Sequence, residues 1–244
     1  MSANRVVPMR LYELAFCCYV YGGLEGGYDA ATIELREATG SCVDPGNDNH
    51  LAPLFHWLRR WGCRQFKVND ESVAHESLRG WWRRWEAELP VPDRTLDELD
   101  DAALGQIADA YDDLRARQAS WQERAGSAHR RGFGPAGAAK TLYAIRPNAC
   151  SPWDEPIRKR LGFGEDGSGY RDHLRRAREE LAEAVADLDS DADASELPRL
   201  LERPLSSPVK LVDEHDWVRH TRGFTPPAPE MMMQWNSWAS DRRG

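Results

Sequence analysis

The residues with the most chemical content lie close together, between Gly132 and Gly162. Asp154 follows Trp153 and precedes Glu155-Pro156, a pattern that starts a helix, with Asp154 as N-cap and the proline in the first turn. A carboxylate there either caps backbone N–H groups, contributing about 1 kcal/mol of stability, or stands ready as a proton acceptor. Upstream, Gly132-Phe-Gly134 forms a turn into a run of small residues, Ala136 to Ala139, that ends in Lys140. Small side chains let such a helix lie against neighbouring backbone, and Pro135 suits its first turn. Arg146-Pro147 ends it, because the residue before proline is pushed out of the α region. A glycine turn leading into a helix offers backbone N–H groups to a phosphate, and Arg130, Arg131 and Lys140 add positive charge around it. Lys140 reads equally well as a lysine reaching out along a helix surface.

The elements around this stretch read as helices. Leu11 to Tyr21 is a buried helix ended by Gly22-Gly23, and Gly22 to Gly27 is a hinge; no Gly-Lys-Ser/Thr follows, which excludes a phosphate loop. Ala30 to Ala38 is a short helix, and Asp44 to Asn49 is turn chemistry. Phe55 stands where a calcium loop needs its closing glutamate. Leu51 to Trp61 and Ser72 to Leu89 are helical in pattern. Their tryptophans at Trp57, Trp61, Trp81 and Trp85, spaced by four, form core stripes, and Trp82 with the interleaved arginines remains a candidate for stacking on a base. Thr95 and Glu98 form a capping box. The stripe Leu104, Ile107, Ala108, Tyr111, Leu114 and Trp121 then predicts one long helix running directly into the basic turn. Tyr170 to Leu188 is another strong helix, and Glu196 to Glu202 a short one. Val209 to Val212 is extended or crosses the core, and Asp213, Glu214, His215 and Asp216 read as surface caps rather than an acid–base pair. No set of strands is evident, so the expected fold is all-α: a single domain over 1–224, with lobes 1–90 and 91–224. Residues 225–244 form a tail whose Trp235 and Trp238 pack back, and 1–10 form an unstructured lead.

At 244 residues with 41% hydrophobic content the chain can bury a substantial core. No apolar run reaches the ~18–20 residues that span a bilayer, so no membrane partner is expected. Five scattered cysteines fit free thiols in a reducing cytoplasm. His50, His56, Cys63 and His75 lack the close pairs that aim two ligands at one ion, so no metal and no cofactor is expected. The net charge of −8 argues against a generic nucleic-acid binder, but its distribution is uneven. Glu179 to Glu196 holds eight acids and no base, whereas Leu114 to Arg146 holds seven cations against Glu123 alone. That basic segment suits either a nucleic-acid face or docking to the chain's own acidic helices.

The glycine turn, the following helix and an aspartate twenty residues after Gly134 resemble the helix-hairpin-helix DNA glycosylase superfamily over about thirty of the 244 residues. Arg158-Lys159-Arg160-Leu161-Gly162 is similar to the family's helix after the aspartate. His129-Arg130-Arg131 stands where the family has Leu-Pro-Gly, Ala136 stands where lyase-competent members have lysine, and no four-cysteine iron–sulfur loop is present. The resemblance implies a two-lobed helical domain and a monofunctional enzyme that cleaves an N-glycosidic bond with Asp154. Lys140 would project into the same pocket, Trp153 or Tyr143 would stack on a flipped base, and Gly132, Gly134, Arg130 and Arg131 would hold a DNA phosphate. The alternative it leaves open is a non-catalytic relative that holds nucleic acid or a protein partner.

Overall fold

A computed structural model describes residues 10–40, 42–124, 126–188 and 193–234. The expected lead before residue 10 and the packing of Trp235 and Trp238 lie outside them. The described fold is all-α, apart from one two-stranded ribbon. Helices α1 (Leu11–Leu24) and α2 (Gly26–Thr39) are separated only by Glu25, so the expected glycine hinge is helix on both sides. The break survives because Glu25 leaves the helical region and its N–H closes on the Tyr21 carbonyl. Helix α3 (Asp48–Arg60) is capped by the Asn47 side chain, and α4 is Glu71–Trp85. The Thr95–Glu98 capping box is present but closes a short 3-10 turn, and Asp100 caps the helix that follows, α5 (Asp101–Ala116).

Helix α5 does not run on into the basic turn. Arg117 turns extended, its guanidinium folds back onto Asp113, and the chain enters a β-hairpin, β1 (Gln118–Arg124) and β2 (Ser127–Gly132). Gly126, at φ +78°, supplies the left-handed residue its turn needs. The returning strand covers the end of α5: Phe133 donates to the Arg117 carbonyl at 2.9 Å. A Cβ on Gly132 would come within 3.0 Å of the Arg115 carbonyl oxygen, so only glycine passes there. Helix α6 (Gly134–Ile145) begins at once, with Gly134 at φ +68°. The glycine turn is therefore entered from a strand and left into a helix.

Helices α7 (Glu155–Leu161), α8 (Gly167–Ala186), α9 (Leu197–Leu200) and α10 (Pro208–Asp216) follow, with a π-helical turn at Trp217–Thr221 and a last helical stretch over 229–234. One hydrophobic core runs from Leu14 to Val212, through both expected lobes. Trp57 and Trp81 are completely enclosed, as the spacing by four predicts. Each such ring removes 150–250 Å² from water, about 4–6 kcal/mol of transfer free energy. Trp81 also satisfies its indole N–H on the Ala110 carbonyl, which ties α4 to α5. No helix among the described residues is long and apolar enough to cross a membrane.

The Val209–Val212 segment, expected to be extended or to cross the core, lies in the core as a helix, and the residues after it are not surface caps. Asp213, Glu214, His215 and Asp216 are buried, and so is every residue of α10. A helix enclosed on all sides ordinarily has to be apolar. This one is tolerated because Arg176 and Arg203 neutralise Asp216 and Glu214, and Lys210 of the same helix pairs with Asp213.

Candidate functional site

The structure brings Lys140 and Asp154 together. The Lys140 Nζ lies 2.7 Å from the Asp154 Oδ1 and donates to the Trp61 carbonyl at 2.8 Å. Helix α6 makes this possible because its small residues let it sink into the core, burying everything from Gly137 to Ile145. Trp61 ends α3, where a carbonyl lacks an intrahelical partner and a cation is favourable. Asp154 occupies the N-cap position of α7, yet its side chain caps no backbone N–H. Its carboxylate is 37% exposed against 9% for the lysine, and among the described residues its Oδ2 has no hydrogen-bond donor. The pair is thus a buried ammonium presenting a half-open carboxylate. Burial acts to lower the Lys140 pKa, but Asp154, Cys63 and Asp213 outweigh it and the net shift is upward, so the group stays an ammonium. The Cys63 thiol beside it is pushed up to about 11 by burial and remains protonated.

Directly behind stands a second pair of the same kind. Lys210 of α10 reaches Asp213 Oδ2 at 2.7 Å, with Glu214 at 3.8 Å. The two ammonium groups lie 5.8 and 5.5 Å from the centroid of the Trp61 ring. Burial raises the Asp213 carboxyl to about 6; Lys210 opposes that shift, and the charge of Asp154 adds to it. Glu214 is held by Arg203, which also grips Asp29 of α2 with two bonds of 2.7 and 2.9 Å. At the far end of α10, Asp216 takes both guanidinium nitrogens of Arg176 at 2.7 and 3.0 Å. Burial opposes the ionisation of Asp216, but the Arg176 charge wins and holds it well below the usual carboxylate range. Glu180 shares that arginine through one oxygen only, and burial raises it to about 8. His173 lies alongside with no partner on either ring nitrogen, and burial pushes it down to about 4.

The remaining predicted site residues are dispersed. Tyr143 is buried and stacks on Trp61 at 5.8 Å and 24°, beneath the lysines. Trp153 is 1% exposed, enclosed by Tyr111, Tyr170, Phe163 and His173. Trp82 is buried under the Arg146 guanidinium, 5.3 Å from its ring. In this arrangement none of the three rings has a free face for a base. Gly132 and Gly134 hold the strand-to-helix turn, Arg130 is exposed on β2, and Arg131 is half-buried. Sequence reasoning missed Lys210 and its carboxylates, although Asp213 and Glu214 stand three and four residues after it, the helical spacing for ion pairs. Among the described residues no group of three or more His, Cys, Asp or Glu is arranged to hold a metal ion. Compared with models of protein families, with curated proteins and with solved structures, the chain finds no match.

Proposed function

We propose that the protein hydrolyses an N-glycosidic bond of a base in DNA, with Asp154 as the reacting carboxylate and Lys140 as the group that positions it. One observation carries this reading: Asp154 stands at a helix start without capping it, and a buried ammonium fixes one oxygen while the other is left open. Breaking the bond between sugar and base develops positive charge on the sugar, which a nearby carboxylate stabilises. Water then bonds to the sugar carbon, the C–N electron pair leaves with the base, and the Asp154 Oδ2 takes the water proton. A lysine held as an ammonium makes a poor nucleophile, so the reaction stops at hydrolysis without a covalent lysine adduct. Arg130 and Arg131, next to the α6 turn, supply cationic contacts to the phosphates.

The test is binding to duplex DNA carrying a cationic mimic of the sugar intermediate, compared with plain duplex across a salt series. Wild type, Asp154→Asn and the charge-neutral pair Lys140→Met/Asp154→Asn are compared. Preference for the mimic, lost in both variants, is the expected result. Salt-sensitive binding that ignores both the mimic and the substitutions leaves the alternative, a module that holds DNA without acting on it. Absence of binding at low salt removes both.

A further inference from the structure

The hairpin between α5 and α6 gives the hydrophobic core only Ala119 among its described residues. Residues Ser127 to Arg130 of β2 are all exposed, and a two-stranded ribbon on its own is marginally stable in water. It is fixed to the body by its outer edge. Trp121 of β1 donates its backbone N–H to the Asp70 carboxylate at 3.1 Å and accepts from the Lys67 Nζ through its carbonyl. Because these groups point away from β2, Trp121 and Arg130 form a non-hydrogen-bonded pair, the kind whose side chains stand closest. The result is a clamped backbone carrying an indole that is 42% exposed. Arg130, whose guanidinium also donates to the Gln118 Oε1 at 2.9 Å, stands across from that ring, Lys67 anchors its carbonyl, and Arg131 follows on the strand with its side chain on the opposite face. Among the described residues neither Arg130 nor Arg131 has a carboxylate partner, although most arginines of this acidic chain do. An arginine without a carboxylate partner beside one open aromatic ring, with Lys67 at the strand edge and Arg131 on the ribbon's other face, complements an anionic strand that also carries flat bases.

We propose that this ribbon is a DNA-binding arm, with Trp121 stacking on an unpaired base and Arg130, Arg131 and Lys67 contacting the flanking phosphates. It rests on the part of that reading in which the protein binds DNA, but not on chemistry at Asp154. Base stacking on an aromatic ring is worth about 1–3 kcal/mol, which is roughly 5- to 150-fold in affinity. Each phosphate contact changes the slope of log affinity against log salt by about one.

The experiment is fluorescence anisotropy with three labelled probes: a fully paired DNA duplex, the same duplex with one unpaired base, and the RNA counterpart of the second. Trp121→Ala is expected to weaken binding of the unpaired-base DNA duplex by roughly 5- to 150-fold while leaving the paired duplex unchanged. Arg130→Ala/Arg131→Ala is expected to weaken both DNA probes and to reduce the salt slope by about two. Both sets of substitutions sit on exposed or half-exposed positions, and circular dichroism checks that the fold is intact. Binding that is untouched by either variant overturns the arm even if Asp154→Asn abolishes preference for the sugar mimic. The converse result, with Trp121 sensitivity and no effect at Asp154, upholds the arm and removes the glycosidic reading. Tighter binding of the RNA probe, or a concentration-dependent dimer that the arginine variant dissolves without affecting DNA, also overturns it.

Discussion

The Lys140–Asp154 pair is asymmetric, and that asymmetry fixes which half of it the fold depends on. Removing one member of a buried ion pair costs 3–5 kcal/mol when the other is left uncompensated in the interior. Lys140 is that interior member: its side chain is 9% exposed and its other partner is the Trp61 carbonyl. Asp154→Asn strands this ammonium, and Asp213, close enough to act on it, repays part of the loss. The expected cost is about 2 kcal/mol, or roughly 4–8 °C in Tm for a chain of this size. Lys140→Met fills the same volume and leaves Asp154, 37% exposed, free to hydrate. Its cost is about 1 kcal/mol, mostly the unpaired Trp61 carbonyl. The double variant therefore stays close to Lys140→Met, with a coupling of about 2 kcal/mol. Urea unfolding followed by far-UV circular dichroism at pH 7 measures all three. The pH dependence has a definite sign. The folded Lys140 pKa is raised above its unfolded value, so the pair's contribution is full below about 10.5 and is lost as pH rises through the folded pKa. A neutral or stabilising Asp154→Asn, with Lys140→Met costing more than about 3 kcal/mol, would refute this assignment of the buried charge.

Three further outcomes follow from single sites. His173, folded pKa about 4 against 6.5 unfolded, binds its proton more readily when unfolded, so stability falls as pH drops below about 6.5; His173→Phe should remove about 2 kcal/mol of the loss between pH 7 and pH 5 in urea titrations. Gly134→Ala forces an L-residue to φ +68° and should cost about 1–2 kcal/mol, whereas Gly105→Ala, inside α5 with open space at its Cβ, should gain about 0.5–1 kcal/mol; equal effects in paired thermal melts would refute the strained turn. Asp213, raised to about 6, should weaken binding of a cationic sugar mimic as pH falls through 6, and Asp213→Asn should flatten that limb in anisotropy titrations.

What the sequence made legible was periodic and local. Tryptophans spaced by four marked the α3 and α4 core faces, and Thr95 with Glu98 marked a true capping box. Asp154 at a helix start was equally readable, because proline and glutamate after it leave little choice of backbone. The hairpin was hidden: of Gln118 to Glu123, only Ala119 and Ser120 are buried, so no alternation of apolar and polar residues announces a strand. Trp121 fell into register with the α5 stripe by coincidence of spacing, although its strand is fixed by Asp70 and Lys67 more than fifty positions upstream. The burial of α10 was equally out of reach. Its Asp216 is neutralised by Arg176, forty residues away, and Asp29 joins the network through Arg203 across 174 residues. Separations of that order leave no trace in a local window.

The polarity of α10 also bears on what the molecule is for. Five of its nine residues are ionisable and all nine are buried, while apolar residues of similar volume commonly serve stability as well or better. Stability alone therefore does not account for Lys210, Asp213 and Glu214 being placed behind Asp154. Their arrangement does have a local electrostatic consequence. Asp29, Asp154, Asp213 and Glu214 set four carboxylates against the three cations Lys140, Lys210 and Arg203, so with all seven charged the cluster carries one excess negative charge in a poorly solvated place. Such a field favours positive charge developing next to the open oxygen of Asp154 more strongly than the same charges would in water. Protonating Asp213 cancels the excess. The net charge of the whole chain is thus a poor guide to this site, because the charges that matter are paired with one another and Asp154 is the most open of them to solvent.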